Sequence, residues 1–379
     1  MNSVIKADAI EGPQARIKAV GYAARHRFSH LKPVEFERTA AQERQIELRV
    51  LYCGVCHCDI HQVRNEWRNT VYPCMPGHEV IGRVTRIGPG VTRHKVGDLV
   101  GVGCMLDSCG QCEPCRSGNE NYCESPNGWL GTYNGPRIPA ARAPGHVNIY
   151  GTDNTFGGYS NVLVVKENFA LRIPSALDPD AAAPLLCAGV TTYSPLKRWR
   201  VGPGTHVGIV GFGGLGNIGA KLARAMGAHV TVLTRGHNKA EEAVQMGFAA
   251  LIEDDQPALR AAAASFDFIL STVPRRHDIN PYVALLKRDS TLCVVGCLES
   301  LDPVDNTEVA LHRKAISGSL IGSLRETQEV LQLCAEHDVA PDIQVIRIDE
   351  LNDAYHKVEK ADVRYRFVID MTTLQDGRA

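Results

Sequence analysis

Residues 53–61, CGVCHCDIH, place three cysteines and two histidines in nine positions. Thiols and imidazoles at this density serve a bound metal, a redox pair or a nucleophile, and spacing alone does not choose among them. A second concentration, CGQCEPCRSGNENYC, supplies Cys109, Cys112, Cys115 and Cys123, separated by two, two and seven residues. Four thiolates in one short loop close a tetrahedral shell, the mark of a structural zinc. Disulfides would need an oxidising compartment, and an iron–sulfur cluster would use similar ligands. Cys104, just before this run, reads as a spare, a packed small residue.

A third chemistry-bearing stretch is GFGGLG, where Gly211, Gly213 and Gly216 fall in the G-x-G-x-x-G arrangement, with Gly214 and Leu215 between them. It follows the apolar run HVGIV and opens a helix-like segment, the context in which such a loop cradles a dinucleotide pyrophosphate. The bland alternative is a tight strand-to-helix turn. About twenty residues on, a carboxylate would favour NAD. The second apolar run instead ends VTVLTRGHNK, and Thr234, Arg235 and Lys239 stand where a 2′-phosphate would sit. An arginine grips phosphate through two parallel hydrogen bonds, so NADP is expected over NAD. Solvated loop residues are the alternative.

The elements that must position these residues fall into two grammars. Up to about residue 180, short β runs (46–53, 80–88, 98–103, 161–166) are separated by Gly and Pro, which predicts an irregular, partly closed β domain. From 181, apolar runs fall at 206–210, 229–233, 250–252, 266–270, 292–295 and 316–320, with helix-like stretches separating the first of them, which predicts a parallel sheet with right-handed crossovers. The strand-like RYRFVID near the carboxyl end is expected to rejoin the first domain. Two domains suit the 379-residue length. With 41 Lys plus Arg against 42 Asp plus Glu, net charge is -1, which gives no electrostatic case for nucleic acid or an anionic membrane. The amino end lacks the apolar core of a signal peptide, and no apolar run is long enough for a membrane span. Thirteen cysteines in so long a chain read as metal ligands and buried small residues in a reducing cytoplasm.

Taken together, CGVCHCDIHQ, YPCMPGHEVIGRV, the four-cysteine lobe, LLCAGVTTYSPL, GIVGFGGLG and RYRFVID resemble the zinc-dependent medium-chain alcohol dehydrogenases, and within them the cinnamyl-alcohol-dehydrogenase type of NADP-dependent aldehyde reductase. The resemblance runs from about residue 17 to 371 and is weakest over 125–157. It implies an α/β fold: an irregular β-rich, GroES-like catalytic domain (1–180 and 325–379, with a structural zinc lobe at 104–123) plus a six-stranded parallel, doubly wound Rossmann domain (181–324) that binds NADP(H). It implies two zinc ions per chain. Cys56, His78 and Cys187 would hold the catalytic one, a two-thiolate, one-imidazole set for which alcohol dehydrogenase is itself the standard example. Cys53 would be a buried small residue. Glu79 resembles a carboxylate that occupies the fourth metal position when substrate is absent, and Asp59 one that orients the metal-binding histidine. Thr191 matches a position against the nicotinamide, with Thr272 and Val273 on the cofactor side. A homodimer through edge strands near SGSLIG is implied as well.

The reaction implied is reversible, NADPH-dependent reduction of aromatic, cinnamyl-type or medium aliphatic aldehydes to primary alcohols. The product oxygen then needs a proton. In similar enzymes a Ser or Thr hydroxyl two residues after the zinc cysteine begins the relay, and a later histidine, here His61, meets solvent. Cys58 occupies the first position, a departure, because a thiol is the weaker donor and acceptor. Three readings follow. Cys58 relays less efficiently, or water or the cofactor ribose bypasses it, or the substrate is an iminium or conjugated C=C bond needing no such proton. A non-catalytic dinucleotide-binding redox sensor is the alternative from another class. Trp67 is expected to wall an apolar pocket and Trp129 to shape its entrance, with packing and a surface loop as their alternatives.

Overall fold

The structure is a computed structural model that describes residues 15–125, 128–135, 154–296 and 298–374. The expectation for the amino end and most of that for 125–157 lie outside the described residues.

Residues 206–210 run HVGIV with every position after the first buried, the continuous apolar pattern of a strand covered on both faces. Around it forms a six-stranded sheet in the spatial order Ala249–Ile252, His229–Thr234, His206–Val210, Phe266–Ser271, Leu286–Val294, Ala315–Gly318, with every neighbouring pair parallel. Counted along the chain that order is 3-2-1-4-5-6, the doubly wound arrangement. The order reverses between His206–Val210 and Phe266–Ser271. Their carboxyl ends lead directly into Gly211 and Thr272, so both expected cofactor positions sit at the crevice where such sheets bind ligands.

Most strands fall within a residue or two of their expected bounds, and one departs further. It begins at Leu286 rather than 292, because Phe266 pairs with Leu286 and pairing resumes at Phe268 with Thr291. The polar 287–290 form the irregularity between, which an apolar-run criterion passes over.

In a seven-stranded sheet the order is Ile343–Arg347, Arg366–Asp370, Gln45–Gly54, Val80–Ile87, Leu99–Val102, Leu171–Arg172, with Val162–Lys166 also on Gln45–Gly54. The late strand returns antiparallel to the early one, Val368 opposite Gly54 and Ile369 opposite Cys53. This crossing brings Arg366 to the residues that open the chain's cysteine cluster. Helix Ala188–Arg198 packs on helix Gly214–Ala225. A Cβ on Gly219 would come within 3.2 Å of the Thr192 methyl, so the two helices approach at a small-residue face. An apolar core containing Ile81, Leu186, Val207, Phe212, Leu270 and Val368 joins both sheets. No helix among the described residues is long and apolar enough to cross a membrane.

Candidate active site

Cys56 ends the strand-to-helix turn before the short helix His57–Val63. The helix forms because the Asp59 carboxylate folds back to accept the Cys56 N–H at 2.9 Å, satisfying a donor of the first turn. Asp59 is fully buried and takes three further contacts: His78 Nδ1 at 2.9 Å, the Gly77 N–H at 3.1 Å and the Tyr159 hydroxyl at 3.2 Å. With Nδ1 held by Asp59, His78 presents Nε2 to the Cys187 sulfur, 3.2 Å away. Such a carboxylate fixes the ring's tautomer and aim.

Cys56, His78, Glu79 and Cys187 offer ligand atoms that all lie within 4.8 Å of one another, and all four residues are buried. The Cys56 sulfur accepts hydrogen bonds from the Cys187 and Cys58 thiols, which hold it well below the ordinary thiol range. Cys58 is pushed up by the same contact and by burial. Burial pushes the Glu79 carboxyl up to about 7 against the opposing pull of Arg366, whose guanidinium touches Oε1. The other oxygen, Oε2, is buried without a hydrogen-bond partner. Two thiols, an imidazole with its outer nitrogen already committed, and an orphaned carboxylate oxygen suit one zinc ion.

The four-cysteine lobe passes a stricter test. Zinc–sulfur bonds of ~2.3 Å in a tetrahedron set neighbouring sulfurs ~3.8 Å apart. Cys109 and Cys115 sulfurs are 3.8 Å apart, and those of Cys112 and Cys123 are 4.0 Å apart. All four cysteines are free, so disulfides give way to the metal reading. Backbone N–H groups of Gln111 and Cys112 donate to the Cys109 sulfur, and that of Glu124 to Cys112, each at 3.4 Å. The N–H groups of Glu124 and Cys115 lower the Cys112 thiol to about 6, favouring that thiolate before any metal arrives, whereas burial pushes the Cys115 thiol up to about 12.

A cavity of about 300 Å³ opens onto the first cluster, lined by Cys58, His78 and Cys187 at its polar end and by Trp67, Trp129 and Ile321 among its apolar walls. Cys104 lines it too, contrary to the expectation of a packed spare. Its thiol is half-buried and hydrogen-bonded to that of Cys187. Beside the lobe in sequence it read as a spare, whereas the turn between Leu99–Val102 and Met105–Asp107 carries it to this cluster. Sequence reasoning also passed over Tyr133, whose ring lies 5.5 Å from that of His78, and Glu66, whose carboxylate contacts His61 Nδ1. The His61 ring lies tilted against its neighbours, 4.7 Å from His57 and 5.6 Å from Trp67. Cys53 is fully buried.

The glycine loop forms a cradle of the expected kind. Gly211 has φ +85°, a left-handed conformation that suits glycine. A Cβ on Gly216 would sit 1.9 Å from the Gly211 carbonyl oxygen, whereas one on Gly213 would meet nothing within 4 Å. Gly213 thus faces open space at the amino end of helix Gly214–Ala225, where backbone N–H groups and the helix dipole favour phosphate. Arg366 also reaches this place: its Cδ would lie 2.5 Å from a Gly214 Cβ. One guanidinium therefore stands between the phosphate cradle and Glu79. Thr272 donates to the Val210 carbonyl at 2.8 Å beside Gly211, with Val273 next to it, and Thr191 is buried one turn after Cys187. Thr234 is buried at its strand end, with Arg235 and Lys239 beyond it.

Comparison with known proteins places both halves of the chain. The alcohol dehydrogenase GroES-like domain matches residues 42–175, and the zinc-binding dehydrogenase family matches residues 214–336. The aldehyde reductase YahK of Escherichia coli (strain K12) is 47% identical over 95% of this chain and 100% of its own length. A solved cinnamyl alcohol dehydrogenase of Sorghum bicolor superposes with a TM-score of 0.89 at 42% identity, covering 96% of this chain and 100% of its own. The CAD of Helicobacter pylori, solved in complex with NADP(H), gives a TM-score of 0.85 at 36% identity over 94% and 99%.

Proposed function

Since the chain belongs to the zinc-dependent medium-chain alcohol dehydrogenases, of the cinnamyl-alcohol-dehydrogenase type, we propose that it reduces aldehydes to primary alcohols with NADPH. The carrying observation is the buried Cys56, His78 and Cys187 set at the floor of a cavity walled by Trp67, Trp129 and Ile321. Aromatic and cinnamyl-type aldehydes suit those walls, with medium aliphatic ones as smaller guests. When bound there, zinc supplies Lewis acidity toward a carbonyl and NADPH supplies hydride.

The chain's own residues do the rest. Asp59 holds His78 in one tautomer. Trp67 and Trp129 exclude water and orient the apolar part of the substrate. Cys58, in the first turn of its helix and facing the cavity, is placed to pass a proton to the product oxygen. His61, with Glu66 on Nδ1, then connects toward solvent, since Glu66 is half exposed. Arg366 pairs with the Glu79 carboxylate and lies beside the amino end of the phosphate-binding helix. On this reading 1–180 and 325–379 form the catalytic domain and 181–324 the nucleotide domain. The protein works in the cytoplasm, where free thiols persist, as a homodimer joined through edge strand Ala315–Gly318.

NADPH oxidation on a panel of aromatic and aliphatic aldehydes tests the proposal, run with wild type and Cys58→Ser. Turnover by wild type and a faster serine variant are expected, because a hydroxyl is the better relay. Inactivity of the zinc-loaded wild type on every aldehyde would sink the proposal.

The cradle makes a separate prediction. Gly213→Val should fold normally yet bind NADPH at least about tenfold more weakly, since its side chain fills the phosphate space. Gly216→Ala should instead lower thermal stability, its Cβ having no room against the Gly211 carbonyl. Fluorescence titration and thermal denaturation separate the two. Unchanged NADPH affinity in Gly213→Val would move the phosphates elsewhere.

A further inference from the structure

Neither cation assigned to the 2′-phosphate stands alone. Arg235 Nε donates to Glu253 Oε2 at 2.8 Å, and the Arg235 side chain is 71% exposed where that of Glu253 is only 17% exposed. Glu253 Oε1 in turn accepts the hydroxyl of buried Tyr282 at 2.5 Å. The second cation repeats the pattern. Lys239 Nζ donates to Glu242 Oε2 at 2.8 Å, the same oxygen accepts the Tyr365 hydroxyl at 2.5 Å, and Oε1 takes Arg364 at 2.8 Å. The Lys239 ammonium also lies 4.6 Å above the Tyr365 ring. Between the two cations Gly236 caps helix His237–Gln245, and a Cβ there would meet nothing within 4 Å.

We propose that Glu253 and Glu242 are positioning residues that hold Arg235 and Lys239 as a preformed clamp for the 2′-phosphate, and so set the preference for NADP(H) over NAD(H). The proposal rests on the reading that this loop takes NADP(H). The Glu253 contact uses Nε, and a guanidinium carries four further N–H donors for a phosphate. Lys239 gives one of its three donors to Glu242 and keeps the others. A long, exposed arginine left unpaired would lose its rotamer freedom on meeting the phosphate, and anchoring it beforehand removes that cost. The carboxylates repel phosphate, but from behind the cations, each of which lies nearer the phosphate than the carboxylate it pairs with and so offsets that repulsion. Positioning therefore outweighs charge.

Calorimetric titration of the zinc-loaded full chain with 2′,5′-ADP and with 5′-AMP tests this without turnover. Wild type must bind 2′,5′-ADP more tightly than 5′-AMP; if it does not, the NADP reading itself fails. Given that preference, Glu253→Gln and Glu242→Gln should each weaken 2′,5′-ADP about five- to tenfold and leave 5′-AMP within about twofold. Tyr282→Phe changes no charge and should weaken 2′,5′-ADP in the same direction by a smaller factor. Glutamine variants that bind 2′,5′-ADP as tightly as wild type, or more tightly, overturn the proposal. Should a glutamine variant lose 5′-AMP binding through misfolding, Tyr282→Phe decides, and an unchanged 2′,5′-ADP affinity there overturns it equally.

Discussion

Cys187→Ala should reduce zinc from two ions per chain to one and lower kcat for aldehyde reduction at least ~10³-fold, about 4 kcal/mol of lost transition-state stabilisation. The substitution removes one sulfur from a cluster whose ligand atoms span no more than 4.8 Å. Its backbone role survives, because the N–H of Thr191 bonds to the residue 187 carbonyl whatever the side chain. The neighbouring Cys104 thiol, bonded to Cys187, is a candidate replacement donor, yet it falls outside the four-residue set that shares the 4.8 Å limit. NADPH affinity should stay within about twofold, since Cys187 belongs neither to the glycine cradle nor to the loop that carries Arg235. Metal content by mass spectrometry, with steady-state kinetics and an NADPH titration, reads all three. A variant that keeps both zinc ions and full kcat would remove Cys187 from the metal.

Cys115→Ser should release the second zinc and lower Tm by ~5–10 °C, because a three-thiolate site loses several kcal/mol and a chain of this size shifts by a few degrees per kcal/mol. Its effect should also reach the substrate. Asn121 donates to the Leu320 carbonyl at 2.8 Å, the Leu320 N–H donates to the Tyr122 hydroxyl at 3.2 Å, and the Leu324 N–H donates to Glu120 at 3.4 Å. The lobe thus braces Leu320 and Ile321, which wall the cavity. KM for aromatic aldehydes should rise several-fold below the new Tm, with catalytic zinc retained. An unchanged Tm with one zinc lost would make the lobe's metal dispensable to folding.

Much of the fold can be read from the residues because its signals are local. Apolar runs mark the six parallel strands, and the glycine loop after the first run marks the switch point. The fifth strand's early start escaped because Lys287, Arg288 and Asp289 carry no apolar pattern, although the chain already pairs at Leu286. The four-cysteine lobe is equally local, and its spacing alone implied a closed shell. The other candidate metal cluster is assembled by topology. Cys187 on an apolar helix looks like core until the fold brings it to His78, 109 positions earlier in the chain. Arg366 lies 287 positions from Glu79 and meets it only because the last strand returns to Gln45–Gly54. Cys104 shows the converse. Proximity in sequence to one cluster hid its contact with the other. Glu253 and Glu242 escaped for a third reason: surface carboxylates are common, and nothing in their spacing reveals that a tyrosine hydroxyl holds each one.

Deuteride transfer tests the central claim most directly. NADPH deuterated at the transferred position of C4 would be supplied to the wild-type, two-zinc protein with an α,β-unsaturated aromatic aldehyde, and the product analysed by NMR. Carbonyl reduction places one deuterium on the carbinol carbon of an allylic alcohol, with the C=C bond intact. Deuterium on the β-carbon of a saturated aldehyde, with none on a carbinol carbon, would contradict the account.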